Sequence, residues 1–447
     1  MASASKKNGQ QTPESITRLS VEGFKSIYDK QSIDVRPLTI LAGPNSSGKS
    51  SIIQPLLLLK QTLEASYDPG ALLLDGPNLK FTKAEQLLSK KAKGKETGRF
   101  SVKIELDNMY GNAYVRTVFT KERDGGFTVS ETAYGLDKEI LLLHSDGSLS
   151  HSPFLTTIRA GLKSSGLHSR IVSVRVRCFL KIAAQFGSGR GASVRRVMTG
   201  FGGVHDIETH ILDVLHVPGL RGNPLRTYPI SAVGAMFPGT FENYVASIIN
   251  HWQVSKEKDI LESVFHDLKL LGLTWKVLAR PINDTQVEIQ VGRLPQRAQG
   301  GARDLVSIAD VGFGVSQTLP VVVALHAARP GQLVYLEQPE IHLHPRAQTA
   351  MAEVLARAAQ RGVKVVVETH SSLLLLGVQT LVAQGKLSPD LVKLHWFQRN
   401  PNDGATTVSS ADLDEDGSFG PWPVDFADVT LDAQSRYLDA VESNHGI

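Results

Sequence analysis

The chain has 447 residues, enough for roughly two or three domain-sized units, with 41% apolar residues, 21% charged residues and a formal net charge of +4. That apolar content supports a large core, and the mild basicity by itself selects no partner. The single cysteine, Cys178, excludes an internal disulfide framework and fits a reducing, cytoplasmic setting. No apolar run approaches the roughly 18 residues that span a bilayer, so no membrane partner is expected. Residues 1–15 carry Lys6 and Lys7 but no apolar segment, and read as a flexible tail rather than a secretory leader.

Ile16–Val21 alternates as a strand, and Leu38–Ala42 is a buried strand ending at Gly43-Pro44. Lys49–Glu64 reads as a helix whose wide apolar face comes from Ile52, Ile53, Leu56, Leu57, Leu59 and Leu63. Phe100–Leu106 and Ala113–Phe119 are strands, followed by a hairpin turn at Asp124-Gly125-Gly126. Residues 16–140 thus make a β-rich N-terminal lobe. Residues 141–300 read as an inserted helical and basic subregion. Between Gly147 and His205 there is no Asp or Glu, but there are nine basic residues: Arg159, Lys163, Arg170, Arg175, Arg177, Lys181, Arg190, Arg195 and Arg196. The stretch "FGSGRGASVRR" inside it reads as a mobile loop. Phe241–Leu271 is mainly helical, with Ile260, Leu261, Val264, Phe265 and Leu268 at helical spacing. Val287–Val291 is a strand and Pro295–Asp304 a polar loop. In a C-terminal lobe over residues 301–400, Val315–His326 is a buried helix, Gln332–Leu336 a buried strand, Arg346–Ala359 a helix and Val363–Glu368 a strand. Residues 401–447 read as an acidic tail, and no heptad pattern supports a coiled-coil arm.

The stretch "GPNSSGKSS" has the spacing G-x-x-x-x-G-K-[ST] at Gly43, Gly48, Lys49 and Ser50, between an apolar strand and an apolar helix. Glycines let the backbone curl so that its N–H groups face phosphate oxygens, and the helix N-terminus adds its dipole. Asn45, Ser46, Ser47, Gly48, Lys49, Ser50 and Ser51 are the expected nucleotide contacts, with Lys49 on the β- and γ-phosphates and Ser50 on Mg²⁺. Further on, "ADVGFGVSQTLP" places Gly314, Ser316 and Gln317 at the head of an apolar helix, a second anion-binding arrangement. About 20 residues later "LVYLEQPE" ends a buried strand in acid. The stretch resembles the Walker B strand of ABC-type ATPases, and that resemblance implies Glu337 in the place of the Mg²⁺ carboxylate and Gln338 in the place of the general base. "VVVETHSS" ends another strand with His370, and the same resemblance implies a histidine that touches the γ-phosphate. His342 and His344 invite a metal reading, but they fall in a turn that the ATPase reading already uses.

Together these stretches resemble the SMC-like and OLD-type ABC ATPases. "LSVEGFKSI" with "LTILAGPNSSGKSSII" resembles the opening of that branch. "VGFGVSQTLPVVVAL", "LEQPEIHLHPRAQTAMAEVL", "VVVETHSSLLLL", "DEDGSFGPWPVDFAD" and "HVPGLRGNPLRTY", with Arg221 and Arg226, resemble its bacterial defence-associated members, most of all the Septu-type ATPase subunits. The resemblance is dense over residues 16–64 and 305–375 and thin between 65 and 215. It implies an α/β ABC-type ATPase head that binds ATP and Mg²⁺ between two copies of the chain, in a homodimer or an assembly of dimers. It also implies a separate nuclease or effector subunit, of HNH type. About 70 residues follow the His370 strand, too few for a typical nuclease domain, so no nuclease is expected here.

Gln338 is the main departure. An amide orients water but cannot accept its proton, and losing a general base costs on the order of 10²–10⁴ in rate. Glu340, two residues on, is the rival base. The expectation is therefore ATP-stabilised dimerisation with weak hydrolysis. The competing readings are a DNA-repair or DNA-end-processing ATPase with real turnover and a standalone nucleotide sensor. Residues 147–205 are an expected DNA or RNA contact, set against a solvated basic face. Asp412, Asp414, Asp416 and Gly417 begin like a Ca²⁺ loop, but the twelfth position is Pro423, so a solvated acidic turn is expected.

Overall fold

A computed structural model describes residues 13–420 except 92, 93, 95, 109, 110, 151, 165–168, 187–192, 199–203, 232, 235 and 295–303, together with 435, 436 and 439. The chain opens with β1 (Ser15–Glu22), β2 (Gln31–Asp34), β3 (Leu38–Ala42) and α1 (Lys49–Glu64). Next come β4 (Arg99–Asn108), β5 (Gly111–Lys121), β6 (Phe127–Leu136) and β7 (Glu139–His144). The middle of the chain holds α2 (Pro153–Ser164), β8 (Ser169–Val176), β9 (Phe179–Phe186), β10 (Ser193–Met198), α3 (Val204–Leu212), β11 (Leu215–Val217) and β12 (Tyr228–Pro229). It continues through α4 (Val245–Val254), α5 (Lys258–Leu270), β13 (Val277–Asn283), β14 (Gln286–Gly292) and β15 (Leu305–Ser307). The last elements are α6 (Phe313–Ala327), β16 (Leu333–Glu337), α7 (Pro345–Gln360), β17 (Lys364–Glu368), α8 (Ser372–Ala383), β18 (Val392–Arg399) and β19 (Thr406–Ala411).

The architecture is α/β. A six-stranded sheet runs in the order β11-β16-β17-β3-β18-β19, parallel except for the last pair. Parallel strands need cover on both faces, and the alternation along β3 supplies it. Leu38, Ile40 and Ala42 enter one core with α6 and α7, while Leu41 enters the other with Ile52, Leu56 and Leu59 of α1. An antiparallel sheet in the order β2-β1-β4-β5-β6-β7 packs on that second core, with Leu19, Val21, Val102 and Ile104 facing it. α1 is therefore enclosed, and twelve of its residues are buried, Lys49 and Lys60 among them. A smaller sheet, β12-β14-β13 with β15 on β14, carries α4.

The hairpin turn at Asp124-Gly125-Gly126 is present, with φ of 96° and 80° at the two glycines. Among the described residues no helix exceeds 16 residues, so no coiled-coil arm is present there, and no helix is long and apolar enough to cross a membrane. Two readings need correction. The basic window contains the antiparallel sheet β10-β9-β8, so Phe186 and Ser193–Arg196 of the expected mobile loop belong to strands. Residues 187–192, Arg190 included, lie outside the described residues, as does most of the expected 295–304 loop. Residues 406–411, expected in the acidic tail, form β19 and pair with β18 in register Leu394↔Ala411 to Arg399↔Thr406.

Candidate nucleotide-binding site

β3 leads directly into the Gly43–Ser50 loop, and α1 starts at Lys49 with Gly48 as its left-handed N-cap. Gly43 has φ 143°, and a Cβ there would lie 2.2 Å from Phe397 O on β18. Gly48 has φ 100°, and a Cβ there would lie 2.5 Å from Thr406 Oγ1 on β19 and 2.7 Å from Ser26 Oγ. Only glycine fits either place. β18 and β19 thus press the loop into its curl from outside, and Thr406 Oγ1 donates to Ser47 O at 2.8 Å. Lys49 is 3% exposed, and its Nζ donates to Gly43 O at 3.0 Å and Pro44 O at 2.9 Å. Burial pulls the Lys49 ammonium below the usual amine range, against the opposing pull of Glu368 and Glu340.

The loop lines a cleft of about 620 Å³ that also takes in Gln338, Glu368, His370 and three basic side chains, Lys25, Lys90 and Arg399. The carboxylate beside Ser50 is not Glu337. Ser50 Oγ lies 3.1 Å from Glu368 Oε1 and 2.8 Å from Oε2, and Tyr335 OH donates to Oε2 at 2.9 Å. β17 pairs with β3 and β16 lies one strand further out, which brings Glu368 next to Leu41 in register. Burial pushes the Glu368 carboxyl up, against its hydrogen bonds from Ser50 and Tyr335.

Glu337, the expected Mg²⁺ ligand, has its carboxylate held elsewhere. His216 Nε2 lies 3.0 Å from Oε1, and Gly219 N donates to Oε2 at 3.0 Å. Burial works against ionisation of Glu337, but His216 and Gly219 outweigh it and hold the pKa below the ordinary value. Gln338 has φ 43° and donates its backbone N–H to Glu368 O at 2.8 Å, so its strained backbone faces it toward the cleft that it lines. Glu340, the rival base, is committed to the neighbouring strand end: Oε1 accepts from Thr369 Oγ1 at 2.7 Å and from His370 N at 3.0 Å. Burial raises its pKa. His370 lines the cleft; burial and the Lys49 charge push its pKa down, opposed by a hydrogen bond with the Gly43 backbone.

The stretch expected to be a second anion site lies elsewhere on the chain. Gly312 caps α6, and Gly314 falls in its first turn. Ser316 Oγ donates to Phe313 O at 3.1 Å, and Gln317 is 3% exposed, its Nε2 donating to Gly222 O at 3.1 Å. Neither Ser316 nor Gln317 lines the Gly43–Ser50 cleft. His344 Nδ1 caps α7 by accepting from Arg346 N at 3.4 Å, and the His342 ring sits 6.1 Å from that of Phe313. No group of three or more His, Cys, Asp or Glu that could hold a metal occurs among the described residues.

Three of the nine basic residues of the window are used internally. Arg175 pairs with Asp68 at 2.7 Å, Lys181 with Glu208 at 2.6 Å, and Arg177 donates to Thr62 O and Leu63 O at the end of α1. Asp412 pairs with Arg36 at 2.9 Å and Lys393 at 2.8 Å, while Asp414 Oδ1 accepts from the N–H groups of Asp416 and Ser418. The acidic turn is thus built into the fold by ion pairs and backbone bonds.

Two family models match the chain. One, described as "AAA ATPase domain", covers residues 15–165 and includes the phosphate loop. The other, described as "AAA domain, putative AbiEii toxin, Type IV TA system", covers residues 281–376 and includes Glu337 and His370. The chain holds an AAA-type ATPase domain. Solved structures similar to it include an SMC head bound to the C-winged helix domain of ScpA, with 13% identity, TM-score 0.49, 90% of this chain and 98% of that one. The SMC head domain from Thermotoga maritima has 13% identity and TM-score 0.42, over 89% of this chain and 100% of that one. A third is an Smc head with an extended coiled coil bound to the C-terminal domain of ScpA, from Pyrococcus furiosus. It has 11% identity and TM-score 0.49, over 96% of this chain and 100% of that one. No curated protein matches the chain.

The residues of this domain fit a nucleotide with Mg²⁺. The Gly43–Ser50 cradle excludes any Cβ at two of its positions. Lys49 and three basic side chains supply positive charge, and Ser50 with Glu368 supplies hard oxygen donors within hydrogen-bond reach of each other. The sequence reading missed Glu368, Tyr335, Lys25, Lys90 and Arg399. A signal for Glu368 lay in "VVVETHSS", two residues before the histidine that drew the attention.

Proposed function

We propose that the chain is the ATP-binding subunit of an antiphage defence complex. It binds ATP with Mg²⁺ in the Gly43–Ser50 cleft, pairs with a second copy of itself around the nucleotide, and controls a separate nuclease or other effector, of HNH type. The observation that carries the nucleotide part is the meeting of Lys49, Ser50 and Glu368 in one cleft at the head of a buried helix. Mg²⁺ bound to ATP neutralises phosphate charge. Ser50 and Glu368 are the residues that would hold it, with Glu337 fixing the strand end through His216 and Gly219. The resemblance to two-gene defence ATPases and the toxin–antitoxin description of the family over residues 281–376 support the defence setting.

Turnover is slow on this reading. Gln338 lines the cleft where a base is needed, and an amide takes no proton. Glu368, the carboxylate beside Ser50, is committed to Mg²⁺ on this reading and takes no proton. A second reading, a DNA-end-processing ATPase with real turnover, makes Glu368, which lines the cleft, the base instead of a Mg²⁺ holder. Purified protein with Mg²⁺ and ATP, beside Lys49→Ala and Gln338→Glu, decides between them, with nucleotide binding and oligomer mass read from the same samples. Tight binding lost in Lys49→Ala, little turnover, and a gain in Gln338→Glu support the first reading. Turnover near an ordinary enzyme rate of about 10 s⁻¹ in the unmodified protein sinks it.

A further inference from the structure

β16 carries a phenol where its neighbours are plain hydrocarbons. Leu333, Val334 and Leu336 are buried, and the strand alternates between two cores: Val334 and Leu336 join the one with α6 and α7, while Leu333 and Tyr335 join the one around α1. Tyr335 is fully buried. A phenylalanine ring would fill the same space, and a buried hydroxyl costs free energy unless it is hydrogen-bonded. The ring of Tyr335 stacks on that of His216, its partner in register on β11, with centroids 5.5 Å apart. On its other side the hydroxyl reaches β17 and donates to Glu368 Oε2 at 2.9 Å. The phenol therefore stands between the histidine that holds Glu337 and the carboxylate that meets Ser50.

The hydrogen bonds divide the two oxygens of Glu368 into unlike roles. A carboxylate oxygen accepts about two hydrogen bonds, and a hydroxyl has a single proton to give. Oε2 takes Ser50 Oγ at 2.8 Å and Tyr335 OH at 2.9 Å, so its capacity is used. Oε1 has only the longer 3.1 Å contact with the same Ser50 hydroxyl. Ser50 alone does not fix the group, because its proton is shared between the two oxygens. A second donor, carried on a different strand, stops the carboxylate from turning. We propose that Tyr335 is a positioning residue for the Mg²⁺ of the bound nucleotide: its hydroxyl holds Oε2 and leaves Oε1 of Glu368, beside Ser50 Oγ, to meet the ion. The inference rests on the nucleotide reading given above. Tyr335 is fully buried and acts through Glu368, which lines the cleft. Partners that orient a metal ligand in this way are worth about 10–100-fold in metal affinity.

Tyr335→Phe removes the hydroxyl and keeps the ring. The measurement is binding of a fluorescent ATP analogue to the full chain, with Mg²⁺ titrated upward from an EDTA baseline. The Mg²⁺ concentration that gives the half-maximal response is expected to rise about tenfold or more in the variant, with the metal-free affinity unchanged. Glu368→Ala weakens the Mg²⁺ response by itself, and Tyr335→Phe added to it has no further effect, as action through one carboxylate requires. Thermal melts followed by circular dichroism establish that the variants are folded. An Mg²⁺ response in Tyr335→Phe equal to that of the unmodified chain overturns the proposal. So does equal weakening with and without Mg²⁺, the mark of a tyrosine that serves packing alone, or full additivity of the two substitutions. An unmodified chain with no Mg²⁺-dependent binding of the analogue overturns the nucleotide reading itself, and this inference with it.

Discussion

Glu368→Gln changes one oxygen to an amide nitrogen at the centre of the cleft. The carboxylate receives Ser50 Oγ at 3.1 and 2.8 Å and Tyr335 OH at 2.9 Å. An amide oxygen at the Oε2 position still accepts from both hydroxyls, so what is lost is the 3.1 Å contact at Oε1 and the charge that would hold Mg²⁺ beside Ser50. Loss of that charge lowers turnover by about 10–100-fold, or about 1.4–2.7 kcal/mol at roughly 1.36 kcal/mol per tenfold. Stability moves the other way. Burial holds the Glu368 pKa above its unfolded value, so the folded state keeps the proton to higher pH. The stability this group contributes is full below the unfolded value of about 4.3, and is lost as pH rises through the higher folded value. The variant is therefore expected to melt above the unmodified protein at pH 8, with the difference closing in acid. Phosphate release at saturating ATP, paired with melts across that range, measures both. Turnover within about twofold of the unmodified protein, or a variant that melts lower at pH 8, refutes the reasoning.

Three further outcomes are expected. Lys60 is fully buried, donates to Leu212 O at 3.1 Å and Phe237 O at 3.3 Å, and pairs with Glu64. Lys60→Met strands that carboxylate and lowers unfolding free energy by about 3–5 kcal/mol in urea titrations. Asp267 is 3% exposed and joins three helices through His326 Nε2 at 2.7 Å and Arg357. Burial pushes its pKa up, but His326 and Arg357 outweigh it and the net shift is downward. Its stabilisation is present above the unfolded value of about 3.9 and is lost as pH falls through the lower folded value. Asp267→Ala therefore costs about 3–5 kcal/mol at pH 7, and melts taken at descending pH show the gap closing. Gly48→Ala adds about 1–2 kcal/mol of left-handed backbone strain and a Cβ 2.5 Å from Thr406 Oγ1. It is expected to abolish binding of a fluorescent ATP analogue while the far-ultraviolet circular dichroism stays unchanged.

The phosphate loop was readable because its requirements are local: a buried strand, glycines at two positive-φ positions and a lysine at the head of an apolar helix. The C-terminal helices and strands were readable for the same reason, since Val315–His326 and Val363–Glu368 carry their own period and length. Glu368 was not, because its place beside Ser50 depends on the parallel pairing of β17 with β3, residues more than three hundred apart in the chain. Linear reading put Glu337 there, and the intervening strand moved it out toward His216. β10 and β19 were hidden by composition: arginines and glycines in one, and a neighbouring acidic cluster in the other, outweighed short alternating patterns. Arg221 stood out only by resemblance, and its bridging of α6 and β16 arises from folding alone.

Lys49 rests on two carbonyls of its own loop. The ammonium thereby holds the ring of backbone shut like a clasp, and the cradle keeps its shape before any ligand arrives. Opening the clasp has a threshold. A nucleoside offers the ammonium nothing in exchange for Gly43 O and Pro44 O, whereas a di- or triphosphate replaces two neutral acceptors with charged ones. Selection for the phosphate chain over the base is thus written into the resting state of the loop, in the ion's choice between its own backbone and an incoming anion.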